Sequence, residues 1–189
     1  MKKCKEGLKN WIRYTMAVLK FKDYNVIKNT SLSANFMAWE FRCKHCGSVV
    51  VDTDLVERLQ RLRNELGTSV SLTNAYRCLV HNRKIGSSDT SLHVAGRAAD
   101  FYLKYKRNGY QTFLTAVKYF TGVGFYQSGI NPKNSYMHVD NRSEKLYWLS
   151  WLQKSGSKTK RVYLYFRNLD NMYTYMKKDT KIDWFNLVI

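Results

Sequence analysis

The sequence has few of the residues that define several protein classes. It contains one proline, four cysteines and ten glycines among 189 residues, which excludes collagen, a proline-rich linker and a disulfide-built scaffold. No window of about 18 uninterrupted apolar residues occurs, so we expect no transmembrane segment. Hydrophobic residues make up 44% of the chain, enough to form a packed core. We therefore expect one domain with modest extensions.

Acidic residues are also scarce. The chain has 14 Asp and Glu against 32 Lys and Arg, a formal net charge of +18. A protein this basic is attracted to polyanions, whether nucleic acid, anionic lipid or an anionic cell wall. The charge indicates the class of partner and says nothing about chemistry.

The N-terminus lacks a recognisable export signal. Met1 to Lys5 is basic like the start of a signal peptide, but Arg13 interrupts the apolar stretch 11–19 and no small-residue cleavage site follows. We predict instead an amphipathic helix; its apolar side would carry Leu8, Trp11, Ile12, Met16 and Leu19. We expect cytoplasmic synthesis, with release by another route if the protein acts outside the cell.

Hydrophobic periodicity predicts an α+β fold. The clearest helix is Asp54–Leu66, with a capping-box start from Asp54 and Glu57 and a stop at Gly67. A second helix is predicted for 110–120, a polar loop for 76–90, and strands for 69–73, 97–103, 122–127, 136–140 and 161–167. Because helices and strands do not alternate regularly, we expect a small antiparallel sheet flanked by helices.

Cys43 and Cys46 form a C-x-x-C that contains His45. A structural zinc site takes four ligands, and no second C-x-x-C or H-x-x-x-H exists in the sequence. Cys4 and Cys78 can complete a set only if folding brings them close. Two interpretations stay open: reduced thiols that are structural or incidental, and a small metal knuckle or redox pair.

Two of the four histidines have conspicuous neighbours. His93 precedes Asp100 by seven residues with Gly96 between them, and a turn at the glycine can aim both side chains at one point. His138 would complete the triangle from another strand. Two imidazoles and a carboxylate are a common ligand set for catalytic zinc, because three protein ligands leave the fourth position to water.

The residues around these three form a more specific pattern. Ser91-x-His93-x-x-Gly96-x-Ala98-x-Asp100, followed by His138-x-Asp140, resembles the metal motif of the zinc D-alanyl-D-alanine carboxypeptidase family, which includes L-alanyl-D-glutamate peptidases of phage lysins. The resemblance covers about residues 34–151, and implies a Hedgehog/DD-peptidase-like fold. Three further segments are similar to that family: Glu40-Phe41-x-Cys43-x-x-Cys46-Gly47, Tyr76-Arg77 with Asn82, and Gly122–Tyr126.

The resemblance implies roles for single residues. His93, Asp100 and His138 would bind Zn²⁺, and Arg77 would hold the polarised carbonyl oxygen or a substrate carboxylate. Ser91 would brace the loop or contact substrate. His81, in the same polar loop, is a further candidate for substrate binding.

Two departures from the family pattern affect the proton acceptor and the arginine loop. Ser135 stands where some members have an acidic general base. Asp140 is then the nearest carboxylate, either as the catalytic base or as a group that orients a ligand histidine. Asn74-Ala75 replaces the usual Ser-Gly before Tyr76-Arg77, which can reshape the loop that carries Arg77.

The resemblance also implies a function. It predicts a zinc peptidase that hydrolyses a bond next to a D-amino acid in peptidoglycan stem peptides or cross-links, and the net charge suits an anionic wall. We expect a monomeric phage-type endolysin, released at lysis. Two alternatives are a basic nucleic-acid-binding protein and a non-catalytic cell-wall-binding domain.

The domain organisation expected from the sequence has three parts. Residues 1–33 form a basic N-terminal extension, residues 34–152 the zinc peptidase domain, and residues 153–189 a basic aromatic extension packed on that domain.

Overall fold

The computed structural model describes residues 17–103, 107–128, 135–187 and 189. Within these ranges a 3-10 turn spans Ala38–Phe41, and no helix is long and apolar enough to cross a membrane. The strands and α-helices are, in chain order, β1 (Val18–Phe21), α1 (Tyr24–Asn29), β2 (Val49–Asp52), α2 (Thr53–Leu66), β3 (Val70–Asn74), α3 (Leu79–Lys84), β4 (Ala98–Leu103), α4 (Gly109–Ala116), β5 (Gly122–Tyr126), β6 (Tyr136–Asp140), β7 (Leu146–Ser155), β8 (Lys158–Phe166) and α5 (Leu169–Lys178).

A six-stranded sheet with the order β3-β4-β6-β5-β7-β8 is the centre of the molecule, which confirms the predicted α+β class. The sheet is mixed, whereas the sequence predicted an antiparallel one. β5 and β6 are antiparallel, and the chain reverses again after β6 before β7 pairs with the other side of β5. β7 therefore runs parallel to β5.

Helix α2 forms as the sequence predicted but begins earlier. Its apolar stripe is buried in the core cluster that also contains residues of the sheet. Asp52 caps the helix by accepting a hydrogen bond from the backbone N–H of Asp54, 3.0 Å away. The Asp54 carboxylate instead pairs with Arg58 at 2.7 Å. Gly67 ends the helix with φ +61°, a conformation that favours glycine.

Part of the predicted N-terminal extension belongs to the folded unit. β1 pairs with β2, and Ile27 is buried in the core. Of the amphipathic helix predicted from the apolar spacing, Leu19 lies in strand β1, and the rest lies outside the described residues. The N-terminal boundary of the folded part therefore precedes the predicted residue 34.

The predicted C-terminal boundary at residue 152 lies inside β7. β8 pairs with β7 from Tyr147 opposite Phe166 to Ser155 opposite Lys158, and residues 156–157 form the hairpin turn between them. Helix α5 buries Met172 and Met176. Residues 153–189 thus complete the sheet and its core rather than adding a separate layer.

Candidate metal centre and substrate cavity

Two adjacent strands place Asp100 and His138 side by side. They are register partners in the antiparallel β4–β6 pair, and directly opposed residues project from the same face of a sheet. The His138 Nδ1 atom lies 2.8 Å from Asp100 Oδ1. This proximity follows from strand register alone and needs no loop geometry.

His93 joins them from the turn that precedes β4. Its Nε2 lies 3.2 Å from His138 Nδ1 and 3.4 Å from Asp100 Oδ1. Gly96 makes this turn possible, because its φ is +71° and a Cβ there would lie 2.4 Å from the Val50 carbonyl oxygen. The three ligands predicted from the sequence therefore lie together.

The donor atoms of this trio fit zinc. Around a tetrahedral zinc, with ligand distances of about 2.0–2.1 Å, neighbouring donor atoms lie about 3.3–3.4 Å apart, close to the distances between His93, Asp100 and His138. His93 is 2% exposed, and its Nδ1 lies 2.6 Å from the Ala75 carbonyl oxygen. A proton on Nδ1 would donate to that oxygen and leave Nε2 free for a metal.

Asp140 lies on the far side of the His138 ring from the other donors. Its Oδ2 is 3.0 Å from His138 Nε2, its Oδ1 accepts from Arg142 Nε at 2.8 Å, and it is fully buried. Burial raises the pKa of this carboxyl, but the hydrogen bonds and charges of Arg142 and His138 outweigh burial and lower it. This geometry fits the orienting role predicted for Asp140, and the alternative role of catalytic base stays a prediction.

The charges of the trio are interdependent. Burial disfavours a charged His138, but the carboxylates of Asp100 and Asp140 outweigh burial and raise its pKa to about 9. Burial lowers the pKa of His93. A protonated His138 neutralises the negative charge of Asp100, as a divalent metal ion would. Metal binding here would therefore release a proton from His138.

Asn74, which departs from the family pattern, contacts one of the predicted ligands. It is the register partner of Asp100 in the β3–β4 pair, and its Nδ2 donates to Asp100 Oδ2 at 3.2 Å. Asp100 can therefore keep Oδ1 directed at the imidazoles. In the sequence, this contact was indicated only by the position of Asn74 at the end of a predicted strand, next to the segment that carries Arg77.

Arg77 lies close to the trio and is held on two sides. Its Nε donates to Asn82 Oδ1 at 3.1 Å, its Nη2 donates to Ser91 Oγ at 3.3 Å, and the side chain borders the same cavity as His93. Burial lowers the pKa of Arg77 while Asp100 raises it, and a guanidinium stays charged at physiological pH. Ser91 braces this arginine.

His81 is not among the residues that border the cavity, and its contact with substrate stays a prediction. Residues 79–84, predicted as loop, form α3, and this helix turns His81 towards Cys43. The distance from His81 Nδ1 to Cys43 Sγ is 3.4 Å.

A cavity of about 910 Å³ opens above the trio. Strands β7 and β8 supply part of its wall through Trp148, Tyr163 and Tyr165. The two tyrosine rings are nearly parallel, with centroids 6.1 Å apart. A Cβ at Gly124 would lie 2.1 Å from the Trp148 ring, so glycine is required for that ring to pack there.

A second cluster of metal-ligating side chains lies outside this cavity. The sulfurs of Cys43, Cys46 and Cys78 are within 4.8 Å of one another, and all three thiols are free. Burial raises the pKa of the Cys43 thiol, but hydrogen bonds from backbone amides and His81 outweigh it and lower the pKa to about 6.

A family model described as peptidase M15 matches residues 30–140, well over half of the chain. The matched range contains the trio and Arg77. The chain belongs to the peptidase M15 family. This family is zinc-dependent, which agrees with the donor set of the trio, and membership makes the chain a metallopeptidase. No curated protein matches the chain. The M15 match ends at Asp140, so the aromatic wall from β7 and β8 lies outside it.

Proposed function

We propose that this M15 peptidase hydrolyses a peptide bond next to a D-amino acid in the stem peptide or cross-link of peptidoglycan. One observation carries the proposal: the donor atoms of His93, Asp100 and His138 converge at one point of an open cavity, next to the buried guanidinium of Arg77. Such a site leaves a coordination position for water.

The trio and Arg77 would have different roles in this reaction. A zinc ion held by His93, Asp100 and His138 supplies Lewis acidity and an activated water. Arg77 binds the carbonyl oxygen as negative charge develops on it, or the carboxylate of the substrate, because its donors are forked and its charge is permanent.

Neighbouring groups keep the ligand rings in place. The Ala75 carbonyl oxygen accepts from His93, and Asp140 accepts from His138 while it is paired with Arg142. Partners of this kind set the tautomer and the orientation of a ligand histidine. Neither ring therefore has to reorganise when substrate enters.

The cavity wall suits a substrate that is both anionic and carbohydrate-linked. Tyr163 and Tyr165 present aromatic faces, against which sugar rings or peptide groups can stack. Arg142 also borders the cavity and places positive charge there. Together with the net charge of +18, this predicts attraction to an anionic wall that weakens as salt rises, the setting of a phage-type endolysin.

The test is digestion of purified peptidoglycan by the full chain, read by loss of turbidity and by mass spectrometry of the fragments. We expect new peptide termini next to a D-amino acid, no cleavage after chelation, and recovery with added zinc. The fragment masses also identify the bond. Intact peptidoglycan in the zinc-loaded reaction would overturn the proposal.

A specific observation also favours a second candidate, a non-catalytic domain that binds cell wall. Among the described residues that border the cavity, Asp100 and Asp140 are the only carboxylates, and hydrogen bonds engage both. Neither is free to accept a proton from water. Sedimentation of the chain with peptidoglycan, without new termini, would support this candidate.

A further inference from the structure

We propose that the chain holds a second, structural zinc ion, bound by the thiolates of Cys43, Cys46 and Cys78 and by His81. These residues lie outside the catalytic cavity, and the proposal does not depend on what the peptidase cleaves. Cys43 and Cys46 come from the loop after the 3-10 turn, and Cys78 and His81 from the start of α3.

The proposed ligands form two pairs that are close in sequence. Cys43-x-x-Cys46 is the first, and Cys78-x-x-His81 is the second. Structural zinc sites with three cysteines and one histidine draw their ligands from pairs of this length. The second pair is therefore a C-x-x-H, neither of the two patterns, C-x-x-C and H-x-x-x-H, that are absent from the rest of the sequence.

The separations of the sulfurs allow a tetrahedral ion, and His81 lies beside one of them. With Zn–S of about 2.3 Å and Zn–N of about 2.0–2.1 Å, neighbouring sulfurs lie about 3.8 Å apart and a sulfur and a nitrogen about 3.6 Å apart. The three sulfurs are within 4.8 Å of one another, and His81 Nδ1 lies 3.4 Å from Cys43 Sγ. His45 Nδ1 is also near, 3.6 Å from Cys78 Sγ, but His45 is exposed whereas His81 is partly buried.

Backbone amides are directed at the sulfurs. Cys43 Sγ accepts from the N–H of Cys78 at 3.4 Å, and the amides of His45 and Cys46 also donate to it. Cys78 Sγ accepts from the N–H of His81 at 3.5 Å. Such donors favour the thiolate form that metals bind. Three thiolates this close would repel one another, and a divalent cation removes that repulsion.

The loop that contains Cys43 and Cys46 has a tight conformation, as a pair of ligands two residues apart requires. The N–H of Gly47 donates to the Cys43 carbonyl oxygen at 2.9 Å, and the N–H of Cys43 donates to the Ser48 carbonyl oxygen at 2.8 Å. Gly47 has φ +74°, which favours glycine directly after Cys46.

The proposed ion would connect the cysteine loop to the segment that carries Arg77. Arg77 directly precedes Cys78, and the N–H of Tyr76 donates to the Phe41 carbonyl oxygen at 3.1 Å. The metal would therefore hold the base of the arginine loop against the segment before β2. Its role is positional, because His81 completes the ligand set and leaves no position for substrate.

The first experiment counts the metal in the full-length protein, purified under reducing conditions with zinc present. We expect about two zinc ions per chain in the wild type, and about one in either His93→Ala or Cys46→Ser, because each change should empty one site. Cys78→Ser provides a second thiolate variant if Cys46→Ser fails to fold. Cys4→Ser is the matched control and should keep both ions.

The second experiment replaces zinc by cobalt(II) in the His93→Ala background, where only the cysteine site remains. We expect the intense visible bands of tetrahedral cobalt and ultraviolet thiolate-to-cobalt absorption. His81→Ala should change this spectrum and His45→Ala should not. A His93→Ala protein that holds no zinc, or a Cys43–Cys46 disulfide in the reduced preparation, would overturn the site. A spectrum that changes with His45→Ala alone would overturn the assignment of His81.

Discussion

The two clusters of metal-ligating side chains are built from different parts of the fold. The trio takes Asp100 and His138 from paired strands and His93 from the turn that leads into one of them. The cysteine cluster takes its thiols from a loop and from the start of a short helix. Strand register holds the first cluster, whereas a loop and the start of a helix hold the second.

The difference between the two clusters indicates different roles. The trio borders a cavity of about 910 Å³, which leaves room beside it for the proposed substrate and water. In the cysteine cluster, the imidazole of His81 lies beside Cys43. As the proposed fourth ligand, it would leave no open coordination position. Open sets of three ligands are typical of catalytic zinc, and closed sets of four are typical of structural zinc.

The largest effect should come from removing a ligand of the open site. We expect His93→Ala to lower the rate of peptidoglycan cleavage by at least about 10³-fold, because the change removes the metal that activates water. The measurement is release of new peptide termini, with circular dichroism to verify the fold. Normal cleavage by this variant would show that the trio is not the catalytic centre.

Arg77→Ala should have the next largest effect. Loss of one group that stabilises developing charge costs about 10²–10³-fold in rate, and zinc content should stay unchanged because Arg77 is not a ligand. Arg83→Ala is a matched control, since Arg83 is exposed and pairs with Asp89 in a surface ion pair. Equal effects of the two substitutions on the cleavage rate would contradict the role of Arg77.

Asp140→Asn separates an orienting group from a general base. As an orienting partner of His138, Asp140 should contribute about 10–100-fold to zinc affinity, so the variant should recover most of its activity at high zinc concentration. The measurement is cleavage rate against free zinc. A rate that stays low at saturating zinc, with unchanged affinity, would instead support Asp140 as the base.

The smallest effect should come from the aromatic wall. Tyr163→Ala removes a ring beside the cavity, and such contacts contribute about 0.5–1.5 kcal/mol, equivalent to about a two- to tenfold rise in KM. We expect little change in kcat, because the ring is remote from the reacting bond. Tyr24→Ala, which alters an exposed tyrosine in α1, should leave both constants unchanged.

The catalytic trio was predictable because local rules position it. A turn at Gly96 followed by a strand aims His93 and Asp100 at one point, and the pairing of β4 with β6 adds His138. Helix α2 was predictable for a similar reason, since its apolar stripe repeats at helical spacing over 14 residues.

Several features were not predictable, because they depend on contacts between segments distant in sequence. Asp140 was expected either as the base or as a group that orients a ligand histidine, and its contacts with Arg142 and His138 Nε2 depend on the fold. His81 was a candidate for substrate binding, and the packing of α3 brings it close to Cys43. Residues 153–189 were expected as an extension packed on the domain, and the pairing of β8 with β7 makes residues 158–166 part of the sheet and of the cavity wall.

The amino-acid sequence by itself determined the chemistry that this protein has available: two imidazoles and a carboxylate at fixed spacing, a C-x-x-C, and a large excess of positive charge. Tertiary structure decided which of these groups meet. Strand register brought the trio together, and the packing of α3 brought Cys78 to Cys43 and Cys46. The physical reason is that spacing in sequence constrains only neighbours within a few residues, whereas distances between remote residues follow from burial and strand pairing.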